Sequence, residues 1–130
     1  DVDKFKGIND QYGHLIGTKL LQEVGAIIKE NLRDGDLAFR YGGDEFIALI
    51  MDANTKAAFD ICERIRVQIE KHKFLSSQKL KINLTVSIGV ANCPEHAGTK
   101  REIIEAADNA MYAVKRAERN KVYIAEKKAA

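Results

Sequence analysis

Arg40-Tyr41-Gly42-Gly43-Asp44-Glu45-Phe46 joins two runs of strand composition, Leu37-Ala38-Phe39 before it and Phe46-Ile47-Ala48-Leu49-Ile50 after it. Two adjacent glycines between such runs predict a tight hairpin, because glycine reaches the positive φ that the favoured two-residue turns demand. Asp44 and Glu45 then fall at the hairpin tip. Neighbouring strand residues point to opposite faces, so the two acids are expected to do different jobs. A Gly-Gly-Asp tip taken alone is an ordinary solvated turn.

What raises its weight is a second acidic stretch at the start of the chain, Asp1-Val2-Asp3-Lys4-Phe5-Lys6-Gly7-Ile8-Asn9-Asp10-Gln11-Tyr12-Gly13-His14. In this order the two stretches resemble the GGDEF family of nucleotidyl cyclases, the diguanylate cyclases. The resemblance runs over essentially the whole chain.

Working outward, 130 residues hold one domain with a real core. Apolar residues make up 45% and charged residues 31%, which are globular proportions. A net charge of +2 gives no strong field toward nucleic acid or membrane, so neither is expected as a partner. Cys62 and Cys93 match no metal spacing, and two free thiols in a reducing compartment are the expectation, with a disulfide left open. No apolar run is long enough to span a bilayer and no signal peptide is visible, so a cytoplasmic location is expected for this domain, even if the full-length protein is membrane-anchored. The chain opens on Asp1-Val2-Asp3, where a strand would be ending, so a cut at the N-terminus of a single domain over 1–130 is expected. The resemblance implies a strand and a helix before this point, and a sensor domain before those.

Periodicity orders the rest. A short helix is expected over Phe5–Gln11, with Gly13 and Gly17 as punctuation. A longer one spans Thr18–Leu32, where Leu20, Leu21, Val24, Ile27, Ile28 and Leu32 recur at helical spacing, and Asp34-Gly35 ends it. Asn54 or Thr55 caps a helix striped by Ala58, Ile61, Cys62, Ile65 and Ile69. Ser76–Lys79 is a polar loop, and Leu80–Asn92 alternates as one strand. Thr99 and Glu102 form a capping box before the stripe Ile103, Ile104, Ala107, Ala110, Met111 and Val114. Val122-Tyr123-Ile124 is a last strand, and the Lys/Ala tail frays. Helices alternating with a mainly antiparallel sheet predict an α+β, ferredoxin-like domain. The resemblance implies the same fold, related to the palm of polymerases and to adenylate cyclases.

The resemblance also implies chemistry. A 3′-hydroxyl attacks an α-phosphate, pyrophosphate leaves, and the protein must hold divalent metal and neutralise growing charge. Hard cations such as Mg²⁺ or Mn²⁺, here expected as two ions per site, want carboxylates and carbonyls. Asp1 and Asp44 match the metal ligands, with the Val2 carbonyl joining them, and Glu45 matches the residue tied to activating the 3′-hydroxyl. Lys6 matches a lysine near the phosphates, and the turn Lys4-Phe5-Lys6 would offer them backbone N–H groups. Gly42 belongs to the substrate-facing tip. Lys115 and Arg119 match the family's Lys-x₃-Arg-Asn segment toward the triphosphate. They share a face if the last helix runs through both, and the competing reading is a solvated basic helix end.

Asn9 matches an asparagine that hydrogen-bonds guanine, and His14 a histidine that either touches substrate or shapes the loop. Thr18 departs from the family, which usually has aspartate there. A carboxylate only accepts, whereas a hydroxyl accepts and donates, so Thr18 is expected to relax discrimination against ATP. The main expected product is cyclic di-GMP from two GTP. A promiscuous cyclase making cyclic GMP-AMP is the first alternative, and a silent module that binds GTP or cyclic di-GMP is the second. Arg33 and Asp36 match the family's Arg-x-x-Asp inhibitory site, and Arg64 matches an arginine reaching the same product from a neighbouring domain; product inhibition is the expectation. Two linkages from one triphosphate site per domain require a homodimer, with proximity as the regulatory lever.

Overall fold

The computed structural model describes residues 1–126, except the side chains of residues 114–117. The expected fraying of the tail at 127–130 and the Lys115 and Val114 side chains lie outside the described residues. Asp1–Asp3 forms a short extended end, and helix α1 (Phe5–Tyr12) follows at once. Gly13, at φ 90°, makes the corner into α2 (His14–Asn31). The helix therefore starts earlier than the Thr18 expected from sequence: Gly13 supplies the break, while Gly17 sits buried inside the helix.

The hairpin pairs β1 (Leu37–Arg40) with β2 (Phe46–Leu49) in antiparallel register, Leu37 opposite Leu49 and Arg40 opposite Phe46. Tyr41 to Glu45 thus stay outside the ladder, which corrects the expected two-residue turn. Neither Gly42 nor Gly43 has positive φ. The longer loop is closed instead by Tyr41 N–H donating to the Glu45 carbonyl (2.8 Å) and by the Arg40 guanidinium. Its Nε and Nη2 donate to the Gly43 carbonyl (3.1 and 2.7 Å), and Nε also reaches that of Gly42 (3.2 Å).

Helix α3 (Thr55–Lys71) starts on Asn54, whose Oδ1 accepts from Ala57 N–H (2.8 Å), as the cap reading expected. The expected strand over Leu80–Asn92 is regular only at β3 (Ile88–Val90), which pairs in parallel with β4 (Val122–Ile124). Ile82 and Val86 make single antiparallel bridges, to Phe74 and Val2. The alternation of the side chains is right, but a ladder also needs a continuous partner, and these partners each supply one residue. Helix α4 (Lys100–Ala117) begins where Thr99 Oγ1 accepts from Glu102 N–H (3.1 Å).

The core lies between α2, α3 and the central extended segments. Leu20, Val24, Ile69 and Phe74 are fully buried there, with Val2 and Val86 closing it from the sheet side. Cys62 is buried and Cys93 exposed, both as free thiols, and burial pushes the Cys62 thiol up to about 11. Among the described residues no helix is long and apolar enough to cross a membrane.

Candidate active site

Two loops meet at one corner. Asp1 lies in an extended segment beside residues 85–87: its amino group donates to the Ser87 carbonyl (3.1 Å), and Ser87 N–H returns a bond to the Asp1 carbonyl (3.0 Å). From the other side Val2 N–H donates to the Asp44 carbonyl (3.0 Å), tying this segment to the hairpin tip. The result is one carboxylate oxygen from each of Asp1, Asp44 and Glu45 within 4.8 Å of one another.

This convergence corrects the expectation that Asp44 and Glu45 face opposite ways. Alternation belongs to paired strand, and β2 begins only at Phe46, so the loop is free to turn both acids to one side. Three carboxylates at this spacing repel one another, and a hard divalent cation is the species such a donor set suits. The donor set therefore fits a metal, with Glu45 as a third carboxylate the sequence reading had kept apart from it.

The phosphate-facing expectations fall on the adjoining turn. Lys4 takes a left-handed conformation (φ 56°), which swings the chain from extended segment to α1 within one residue. The Lys4 side chain makes no cap bond at that helix start, where the first N–H groups have no intrahelical acceptor and the helix dipole favours an anion. Phe5 is buried beneath them and anchors the turn, and Lys6 is exposed.

Asn9 and Gly17 are in close contact. The Asn9 Oδ1 is buried without a hydrogen-bond partner, and a Cβ on Gly17 would meet it at 1.9 Å. Gly17 was legible only as punctuation, yet it is what makes room for the Asn9 amide. His14 is exposed at the start of α2, and Thr18 Oγ1 donates to its carbonyl (3.0 Å). Arg119 lies beyond α4, which ends at Ala117, so the expected shared helical face with Lys115 does not form. The chain leaves the helix because Asn120, at φ 60°, turns its N–H onto Asp3 (3.0 Å).

The Arg33 cluster sits at the opposite end of the hairpin. Arg33 N–H and Nε donate to Asp36 Oδ2 (2.9 and 3.2 Å), and Met51 N–H donates to Asp36 Oδ1 (2.9 Å). The Arg33 guanidinium also binds the Met51 carbonyl. These bonds, led by the Met51 N–H and then the Arg33 N–H, hold the Asp36 carboxyl below its usual value. Arg64 is not joined to this pair: it holds the end of α2, through Asn31 Oδ1 (2.7 Å) and the Asn31 carbonyl (2.9 Å).

Two residues with no assigned role from sequence emerge here. Arg40 ties down the tip carbonyls, and Asp3 is a buried carboxylate with three donors. Both lie inside the two quoted stretches, but nothing in the sequence says what they bind. Only the fold brings their partners to them.

Known proteins are similar to this chain over nearly all of its length. A family model described as "Diguanylate cyclase, GGDEF domain" matches residues 1–121. Diguanylate cyclase A of Treponema denticola is 42% identical over 97% of this chain and 34% of its own length. Diguanylate cyclase DosC of Escherichia coli is 43% identical over 94% of this chain and 26% of its own length. The chain thus spans about a third or less of these curated relatives. Among solved structures, the GGDEF domain of YfiN from Pseudomonas aeruginosa superposes with a TM-score of 0.92 at 36% identity, covering 98% of this chain and 80% of that one. The GGDEF domain of DgcB from Caulobacter crescentus, solved in complex with c-di-GMP, gives 0.86 at 34% identity, covering 98% of this chain and 73% of that one. The fold is therefore the α+β, palm-type arrangement expected from sequence.

Proposed function

This chain belongs to the GGDEF family of diguanylate cyclase domains, and from that premise we propose that it condenses two GTP into cyclic di-GMP with release of pyrophosphate. The observation that carries the reading is the meeting of Asp1, Asp44 and Glu45 at one corner, next to the turn that starts α1. All three acids of the two motifs, Asp1, Asp44 and Glu45, are present, so the silent-module reading is the weaker one.

Asp1 and Asp44 would hold the divalent ions, Mg²⁺ or Mn²⁺, with the Val2 carbonyl beside them. Bound there, the metal supplies charge neutralisation at the transferring phosphoryl group. The remaining work is the chain's own. Lys6, Arg119 and Lys115 neutralise phosphate charge, and the N–H groups after Lys4 orient the phosphates. Glu45 would accept the proton of the attacking 3′-hydroxyl, and Gly42 lies against the Glu45 side chain, where an added Cβ would make only an ordinary contact at 3.6 Å. Each domain carries one such site, so two must face each other for two linkages to form.

For the base, the Thr18 hydroxyl donates its hydrogen bond to the His14 carbonyl, which leaves the oxygen as an acceptor toward a ligand. That polarity matches the N–H edge of guanine and supports GTP as the main substrate over the promiscuous reading. The test is a product assay by mass on a forced dimer supplied with Mg²⁺, GTP and ATP together. Cyclic di-GMP as the main product is expected. Substantial cyclic GMP-AMP would make Thr18 a relaxed base reader, and no product alongside intact GTP binding would return the silent-module reading.

A further inference from the structure

Asp3 is the acid of the first stretch that is buried as a whole residue. It is 4% exposed, and a charge so deep is tolerated only when hydrogen-bonded throughout. Its Oδ1 accepts from Ser87 Oγ (2.6 Å), and its Oδ2 accepts from Thr85 Oγ1 (2.7 Å) and from Asn120 N–H (3.0 Å). Its own N–H donates to the Thr85 carbonyl (3.0 Å). One carboxylate thereby joins three pieces of chain distant in sequence. Two of them lead straight to the site: Asp1-Val2 precedes it on one side, and Arg119 precedes Asn120 on the other. Asn120 is fixed in turn, because its Oδ1 accepts from Arg66 Nη1 (2.9 Å) and its side-chain amide donates to Glu70. An apolar side chain could fill this position in the core, but it could not hold the Asn120 N–H.

We propose that Asp3 is a positioning residue that keeps the cation corner at Asp1 and the basic turn at Arg119 in register for the polyphosphate of the substrate. The proposal rests on the cyclase reading. Positioning carboxylates behind a metal site act in this way, holding the groups that touch the ligand. Asn in place of Asp3 still offers an oxygen to Thr85 and Asn120, and its amide can face the Ser87 hydroxyl. Ala offers nothing.

The test is equilibrium binding to the whole chain of two probes, 3′-deoxyGTP with Mg²⁺, which lacks the attacking hydroxyl and cannot turn over, and GMP. Cooperative thermal unfolding of each variant is the check on folding. Asp3→Ala is expected to weaken 3′-deoxyGTP by about tenfold or more while GMP stays within about twofold, and Asp3→Asn is expected to restore most of the loss. Should Asp3→Ala not fold, Thr85→Val removes one donor at constant shape and is expected to weaken 3′-deoxyGTP alone, by about two- to fivefold. Equal losses for both probes, or unchanged 3′-deoxyGTP binding in a folded Asp3→Ala or in Thr85→Val, would overturn the proposal while leaving the cyclase reading in place. Failure of the wild-type chain to bind 3′-deoxyGTP would overturn both.

Discussion

The two ends of the β1–β2 hairpin both carry clustered charge, and they are built in opposite ways. At the tip, Asp44 and Glu45 meet Asp1, so like charges gather within 4.8 Å. At the base, Asp36 accepts from Arg33 and from Met51 N–H, and the Arg33 guanidinium is turned in on the same turn. The tip acquires a favourable field only when a cation arrives. The base is satisfied already, and a ligand there must first replace bonds the turn makes with itself, each with a net value of about 1 kcal/mol. Clustered charge is therefore a poor guide to a site until the signs and partners are known.

The largest effect that could break this contrast is at the tip. Asp44→Ala is expected to lower cyclase activity by at least about a hundredfold while the melting temperature without metal holds or rises, because one member of a repelling trio is gone. Activity assays and thermal scans on the same preparations check it. A large fall in melting temperature would mean that the tip acids hold the fold together.

At the base the effect is smaller and of another kind. Arg33→Ala is expected to raise the cyclic di-GMP concentration needed for half-inhibition by about tenfold, the scale of one lost charge-assisted contact. Inhibition curves with added product measure it, and curves that coincide with wild type would mean that product does not act through the Arg33 turn.

The smallest effect is a pH dependence. Asp36 has its carboxyl lowered from 3.8 in the folded chain, first by Met51 N–H and then by Arg33. The folded state thus binds this proton less tightly than the unfolded state. The stability contributed by the carboxylate is complete above 3.8 and is lost as pH falls through the lowered folded value. Urea midpoints of wild type and Asp36→Asn should differ at neutral pH and converge in acid. A gap that persists unchanged below pH 3.8 would show that the charge of Asp36 is not what binds Met51.

Much of this was legible in the sequence, and the exceptions share a cause. The helices were readable from the stripes through Leu20, Val24, Ile65 and Ile69, because burial of one helix face repeats locally. The acid pair Asp1 and Asp44 was readable from two motifs in order. What escaped depended on partners far along the chain. Glu45 joined the acids because the ladder stops at Phe46. The long strand shrank to Ile88–Val90 because Val2 and Phe74 offer single bridges. Asp3 looked like its neighbour Asp1 until Thr85, Ser87 and Asn120 closed around it. Gly13 was the helix break, at φ 90°, and Gly17 a packing necessity imposed by the Asn9 side chain.

The most direct measurement is a titration of Mn²⁺, followed by the loss of its free-ion paramagnetic resonance signal, into the wild-type chain and Asp44→Asn with 3′-deoxyGTP present. The account predicts saturable binding by wild type and affinity at least about tenfold weaker in Asp44→Asn. Equal binding by the two proteins would contradict it, because the converging acids would then not be what holds the cation.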